Sequence, residues 1–288
     1  MIVCGRHARV RQRGRHSVTS RSARRRTPPL AVGGAALLLA LTACSSSGAS
    51  GSAPSSSATA PQEVSGTVTV FAAASLKESF TELGRRFEAA HPGTKVTFSF
   101  GGSDTLAASL TSGAPADVFA AASQATMRTV TEAGDGRGAP SVFARNQLEI
   151  ATPPGNPEHI TTLGDLTKPG LKVALCARTV PCGAAAQKAL TASGLSLTPV
   201  TYEQDVKSAL TKVELKEVDA SVVYRTDVEA AGGRVDGVPF PESAGAINDY
   251  PVVELAHAPN SAGARAFIAL VRSAEGRRVL AGAGFLNP

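Results

Sequence analysis

Two serines stand where short runs of small residues lead from a β-rich segment into a helical one. Val68-Thr69-Val70-Phe71 passes through Ala72-Ala73-Ala74 to Ser75, and the segment ending at Phe100 passes through Gly101-Gly102 to Ser103. Two further turns have the same character, Val180-Pro181-Cys182-Gly183 and Gln204-Asp205-Val206. A helix that begins at such a turn presents backbone N–H groups with no intrahelical partner and the positive end of its dipole, which suits an anion. Small residues let a ligand approach the main chain, and each hydroxyl adds a donor. The competing job of a serine here is N-capping, which contributes about 1 kcal/mol. Ser75 followed by Glu78 has the spacing of a capping box. On residue types alone the two readings stand level for the pair of serines. Tyr224 ends an apolar run, Ala220-Ser221-Val222-Val223, and on the same grounds reads as a tyrosine at the edge of a core.

Other chemistries find little support. The sequence holds no G-x-S-x-G, no G-x-x-x-x-G-K and no H-E-x-x-H, the patterns that place a nucleophile, a phosphate cradle or a zinc pair. His91, His159 and His257 are far apart and none neighbours the four turns, so a serine nucleophile has no evident base. A sugar receptor stacks its ligand on aromatic faces, whereas this chain has no Trp and three Tyr. An amino-acid receptor would need a cation and an acid, for which Arg178 and Asp104 are the candidates. No enzyme activity, cofactor or resident metal is expected.

The elements that must carry these turns alternate between strands and helices, the pattern of an α/β fold. Strands are predicted over 67–72, 95–100, 117–120, 147–151, 172–175, 199–202, 219–224 and 251–255. Leu76, Phe80, Leu83 and Phe87 form one apolar helical stripe that His91-Pro92-Gly93 stops. Further helices are predicted around Leu106 and Leu110, over 185–190, around Val206, Leu210 and Val213, and over 264–271 and 275–281. The helix starts then fall at the carboxyl ends of strands, where α/β folds bind ligands.

The formal charge of +6 is misleading. Nine of the 29 basic residues, all arginine, precede Cys44, leaving 20 against 23 acidic residues, a net of about −3. A nucleic-acid partner is therefore not expected. The Arg-rich start, the uncharged stretch 30–43 and the small residues before Cys44 make a secretory signal, too short to span a membrane. Leu41-Thr42-Ala43-Cys44 resembles the lipobox of bacterial lipoproteins, which implies cleavage after residue 43 and a lipid on Cys44. The leader is long enough to suggest a start codon downstream of Met1. Residues 44–63, rich in Ser, Ala, Gly, Pro and Thr, read as a flexible tether, and about 225 residues remain to fold. Of four cysteines, Cys176 and Cys182 are left; a short-loop disulfide is expected outside the cell, with a redox pair or half a metal site as the alternatives.

Val70-Phe71-Ala72-Ala73-Ala74-Ser75-Leu76, Phe100-Gly101-Gly102-Ser103 with Thr105-Leu106-Ala107, and Gly113-Ala114-Pro115-Ala116-Asp117-Val118-Phe119 together resemble the periplasmic molybdate-binding proteins of ABC importers. The likeness continues through Pro181-Cys182-Gly183, Asp205-Val206, Val222-Val223-Tyr224 and Tyr250-Pro251-Val252. It implies a two-lobed type II periplasmic-binding-protein fold, with mixed sheets flanked by helices and a ligand cleft between the lobes. Lobe 1 would take 64–145 plus 250–288 and lobe 2 would take 146–249, with crossovers near Arg145 and Tyr250. The ligand would be molybdate or tungstate, held by the hydroxyls and N–H groups of Ser75 and Ser103, the N–H groups of Cys182 and Val206, and the Tyr224 phenol. No metal site is implied beyond that oxyanion. Asp104, beside Ser103, keeps open a protonated ligand such as phosphate; sulfate is the other alternative. The implied partners are a permease with its ATPase and the membrane through the lipid. A monomer on the outer face of the cell membrane is expected.

Overall fold

The computed structural model describes residues 64–288; the signal segment 1–43, Cys44 and the tether lie outside the described residues. The chain opens with β1 (Gly66–Ala73), α1 (Lys77–Ala90), β2 (Thr94–Gly101), α2 (Ser103–Thr111), β3 (Val118–Ala120), α3 (Gln124–Glu132) and β4 (Gly136–Asn146). It continues through β5 (Leu148–Thr152), β6 (Val173–Cys176), α4 (Pro181–Ala192), β7 (Thr201–Glu203), α5 (Val206–Glu214), β8 (Ala220–Tyr224), α6 (Arg225–Ala231) and β9 (Asp236–Val238). β10 (Asn248–Leu255), α7 (Ser261–Arg272) and α8 (Ala274–Gly282) complete it.

Two five-stranded mixed sheets result, ordered β2-β1-β3-β10-β4 and β7-β6-β8-β5-β9. Each has three parallel strands joined through helices, then one strand antiparallel to them and a last strand antiparallel to that one. Parallel neighbours need such crossovers, and helices on both faces bury the sheets. The apolar stripe of α1 is fully used: Leu76, Phe80, Leu83 and Phe87 are buried, and Phe80 meets Phe267 of α7 edge-on with ring centres 5.8 Å apart. In the second sheet Leu148, Ile150, Val173, Val222 and Leu210 form the corresponding core.

The registers decide where the site is built. β1 and β2 run in parallel with Ala73 opposite Gly101, so the turns to Ser75 and Ser103 leave the sheet side by side. In the second sheet Cys176 lies opposite Glu203, so the turns into α4 and α5 leave together, and Tyr224 ends the adjacent β8. The chain passes from one sheet to the other at Gln147, between β4 and β5, and returns between β9 and β10.

The predicted strands are present with small shifts at their ends, but β4, β9, α3 and α6 were not expected. β4 begins Gly136-Arg137-Gly138-Ala139-Pro140, residues that signal a turn. Its pairing with β10 shifts register twice, which accommodates them. α3 has only Met127 and Val130 as large buried apolar residues, too few to mark a stripe.

Candidate functional site

Neither serine is a cap, which corrects the capping-box reading. Ala74–Leu76 forms a single 3-10 turn whose start has no side-chain cap, and Glu78 pairs with Lys207 of α5 at 2.9 Å instead. Ser75 Oγ lies 2.8 Å from Tyr250 Oη. Ser103 is the first residue of α2, again without a side-chain cap, and its Oγ accepts a hydrogen bond from the N–H of Ala122 at 3.0 Å. The start of α4 is also uncapped. On α5 the Asp205 carboxylate accepts from Ser208 N at 2.9 Å and from the Ser208 hydroxyl, so the cap leaves the first N–H, that of Val206, untouched. Among the described residues no backbone carbonyl accepts from the N–H of Ser75, Ser103, Cys182 or Val206.

These groups converge. One cavity of about 10 Å³ is lined by Ser75, Gly102, Ser103, Ala122, Cys182, Val206 and Tyr224, together with neighbouring small residues. All five residues singled out in the sequence are on that lining. A cavity of this size holds about one water-sized sphere, so its walls must part to admit any larger ligand. Its walls meet closely. A Cβ added to Gly102 would collide with the carbonyl of Gln204, and one added to Gly183 would collide with the carbonyls of Ala177 and Cys176. Glycine at both places therefore permits backbone approach that no other residue would. Cys176 and Cys182 form a disulfide with Cα atoms 5.9 Å apart, closing the turn from β6 into α4.

Among the described residues no charged side chain on the cavity lining is left unengaged. Asp205 lines it, but its carboxylate is engaged in the α5 cap. Asp104 is not part of the lining, and its Oδ1 is buried without a partner. Lys207 pairs with Glu78 at 2.9 Å and with the buried Asp227 at 3.1 Å. Burial pushes the Asp227 carboxyl up to about 6 while the Lys207 ammonium pulls it down. Burial also raises the Tyr224 phenol well above its ordinary range, so it stays protonated and remains a donor. A larger groove of about 600 Å³ runs beside α5 and α6, but Lys77, Lys212, Arg234, Glu203 and Glu214 give it mixed, solvated charges.

Sequence reasoning missed the residues behind the lining. Asn248 Nδ2 reaches Tyr224 Oη at 2.8 Å and the carbonyl of Ala122 at 2.7 Å. Asn146 Nδ2 reaches Thr226 Oγ1 at 2.8 Å and Tyr250 Oη at 3.3 Å. Asn248-Asp249 ahead of a strand reads locally as a turn, so no spacing marks it. Tyr250 carried the one available signal, a polar tip in an apolar strand that needs a partner when buried. Among the described residues no group of His, Cys, Asp and Glu is placed to hold a metal ion, and no helix is long and apolar enough to cross a membrane.

Comparison with known proteins fits this geometry. Residues 68–286 match the family model for bacterial extracellular solute-binding proteins. The molybdate-binding protein ModA of Mycobacterium tuberculosis is 43% identical over 82% of this chain and 90% of its own length. The periplasmic molybdate-binding protein of Azotobacter vinelandii superposes with a TM-score of 0.68 at 20% identity, covering 77% of this chain and 99% of that one. The sulfate-binding protein SubI of M. tuberculosis superposes with a TM-score of 0.65 at 19% identity, over 76% of this chain and 86% of that one. At those identities the structural likenesses speak for the type II two-sheet fold alone. A match spanning nearly all the described residues, and the identity to ModA, settle the family: the chain belongs to the bacterial extracellular solute-binding proteins of ABC transporters, in the ModA molybdate-binding group, and is not an enzyme.

Proposed function

We infer that this protein is an extracytoplasmic receptor that captures molybdate or tungstate between two lobes and delivers it to an ABC permease and its ATPase. Each sheet with its helices forms one lobe, 64–145 plus 250–288 and 146–249. The ligand contacts are the hydroxyls and N–H groups of Ser75 and Ser103, the N–H groups of Cys182 and Val206, and the Tyr224 phenol. A lipid on Cys44 holds the receptor at the outer face of the membrane, and the tether leaves it free to dock.

The observation that carries this reading is the composition of the cavity wall. It offers open N–H groups and hydroxyls, and no unengaged cation or carboxylate. Hydrogen bonds to a charged acceptor are about twice as strong as neutral ones. A dry site of seven such donors therefore holds a dianion without a counter-charge. The ModA relatives bear names that specify the same ligand. Phosphate at neutral pH retains a proton and needs an acceptor; Asp205 is engaged in the α5 cap, and Asp104, the other candidate, is not on the cavity lining.

Isothermal titration of the purified protein with molybdate tests the reading, with saturable one-to-one binding expected. Heats no larger than dilution would contradict it. Fatty-acid labelling in cells, present in the parent and lost in Cys44→Ser, tests the anchor; equal labelling of both would exclude Cys44 as its site.

A further inference from the structure

Three hydroxyls line the cavity, and each meets a protein partner on its far side. Ser103 Oγ accepts from the Ala122 N–H at 3.0 Å. Tyr250 Oη accepts from Asn146 Nδ2 at 3.3 Å and shares a 2.8 Å hydrogen bond with Ser75 Oγ, in which either hydroxyl can donate. The orientation of Asn146 is fixed because its Oδ1 accepts from Gln147 N at 3.0 Å. Tyr224 Oη has Asn248 Nδ2 at 2.8 Å. The orientation of Asn248 is fixed too, since the carbonyl of Ala122 at 2.7 Å can only accept. Its two amide hydrogens go to the short contacts, Ala122 O and Tyr224 Oη, with the Pro181 carbonyl a longer third acceptor at 3.4 Å.

A hydroxyl owns one hydrogen and two lone pairs. Free to rotate, it can turn either toward a ligand, and a dianion should be met by hydrogens only. We propose that Asn248 is a positioning residue for the ligand site: by donating to Tyr224 Oη it turns the phenol hydrogen into the cavity, where it meets the bound oxyanion. The proposal rests on the oxyanion reading given above. Asn248 does not touch the ligand. It stands at the first residue of β10, where the chain returns to the first sheet, and holds Tyr224 of the second sheet and Ala122 of the first together. The competing acceptor for the phenol hydrogen is Tyr250 Oη, with ring centres 6.0 Å apart. With Asn146 and Ser75 at hydrogen-bonding distance, that oxygen keeps at most one lone pair for it, a neutral acceptor weaker than a bound dianion.

The test is a double-mutant cycle read by molybdate titration, with the tyrosine near-ultraviolet difference spectrum as a second readout. Asn248→Leu keeps the shape and removes the donor. Alone it should weaken molybdate about 10-fold or more, the scale of one misdirected hydrogen bond to charge. Added to Tyr224→Phe it should cost less than about 2-fold further, because the group it orients is gone. A purely structural Asn248 would weaken both backgrounds equally, and that result overturns the proposal, as does an unchanged affinity in Asn248→Leu. Should Asn248→Leu not fold, the spectrum decides. The chain has no Trp and three Tyr, so molybdate should shift the absorption of a buried tyrosine to longer wavelength in the parent protein and not in Tyr224→Phe. A parent spectrum unmoved at saturating molybdate overturns the proposal while leaving the oxyanion reading intact. A parent protein that binds no molybdate removes both.

Discussion

Removing a single hydroxyl separates a ligand contact from a helix cap. Ser75→Ala and Ser103→Ala should each weaken molybdate binding by roughly 1–3 kcal/mol, the range for lost hydrogen bonds to charge. Titration of the two variants measures this, and affinities equal to the parent would reduce both serines to packing. Their hydroxyls do not cap their own helices, so helix stability should change little; Ser103→Ala also strands the Ala122 N–H. Ser75 and Ser103 were legible because small residues lead into each helix start, whereas Cys182, Val206 and Tyr224 stood out as contacts only through the resemblance to molybdate-binding proteins. Asn248, Asn146 and Tyr250 were not legible, since their partners lie 24 to 175 positions away. Such pairing comes from the meeting of two sheets, and no local pattern encodes it.

At the scale of elements, the turn from β6 into α4 sets the position of the Cys182 N–H. Three features fix it: the disulfide, Pro181 at the first helical position, and the close backbone approach at Gly183. A bond closing so short a loop contributes about 2 kcal/mol in the chain-entropy view. Cys176→Ser with Cys182→Ser should lower the unfolding free energy by that order and weaken molybdate binding through a looser donor. Denaturant titration and calorimetry measure the two effects. Two free thiols by mass spectrometry in protein from an oxidising compartment would remove the bond from the account. Most strands and helices followed from periodicity, the α1 stripe above all. β4 did not, because Gly136, Gly138 and Pro140 argue locally against a strand that only pairing with β10 stabilises.

Across the whole molecule, Lys207 ties Glu78, on the helix packed against the first sheet, to Asp227 beside the second. Burial raises the Asp227 carboxyl from an ordinary 3.8 to about 6. Between those values the folded chain binds more protons than the unfolded one, so the stability this group contributes is greatest below the lower value and falls as pH rises through the upper. Burial alone would lower the Lys207 ammonium, but its two carboxylate partners raise it on balance, so its own contribution persists until pH rises through that raised value. Asp227→Asn should therefore remove this fall, so that between about pH 4 and 6 stability rises more steeply, or falls less, with pH than in the parent, measured by urea midpoints across that interval; an identical pH dependence would mean that Asp227 does not titrate there. The central claim, a wall of donors with no acceptor, is tested most directly by isothermal titration of the one protein with molybdate, tungstate, sulfate and phosphate at neutral pH. Tight binding of molybdate and tungstate with weak or absent phosphate binding is the predicted result. Tight phosphate binding with weak molybdate binding would contradict it.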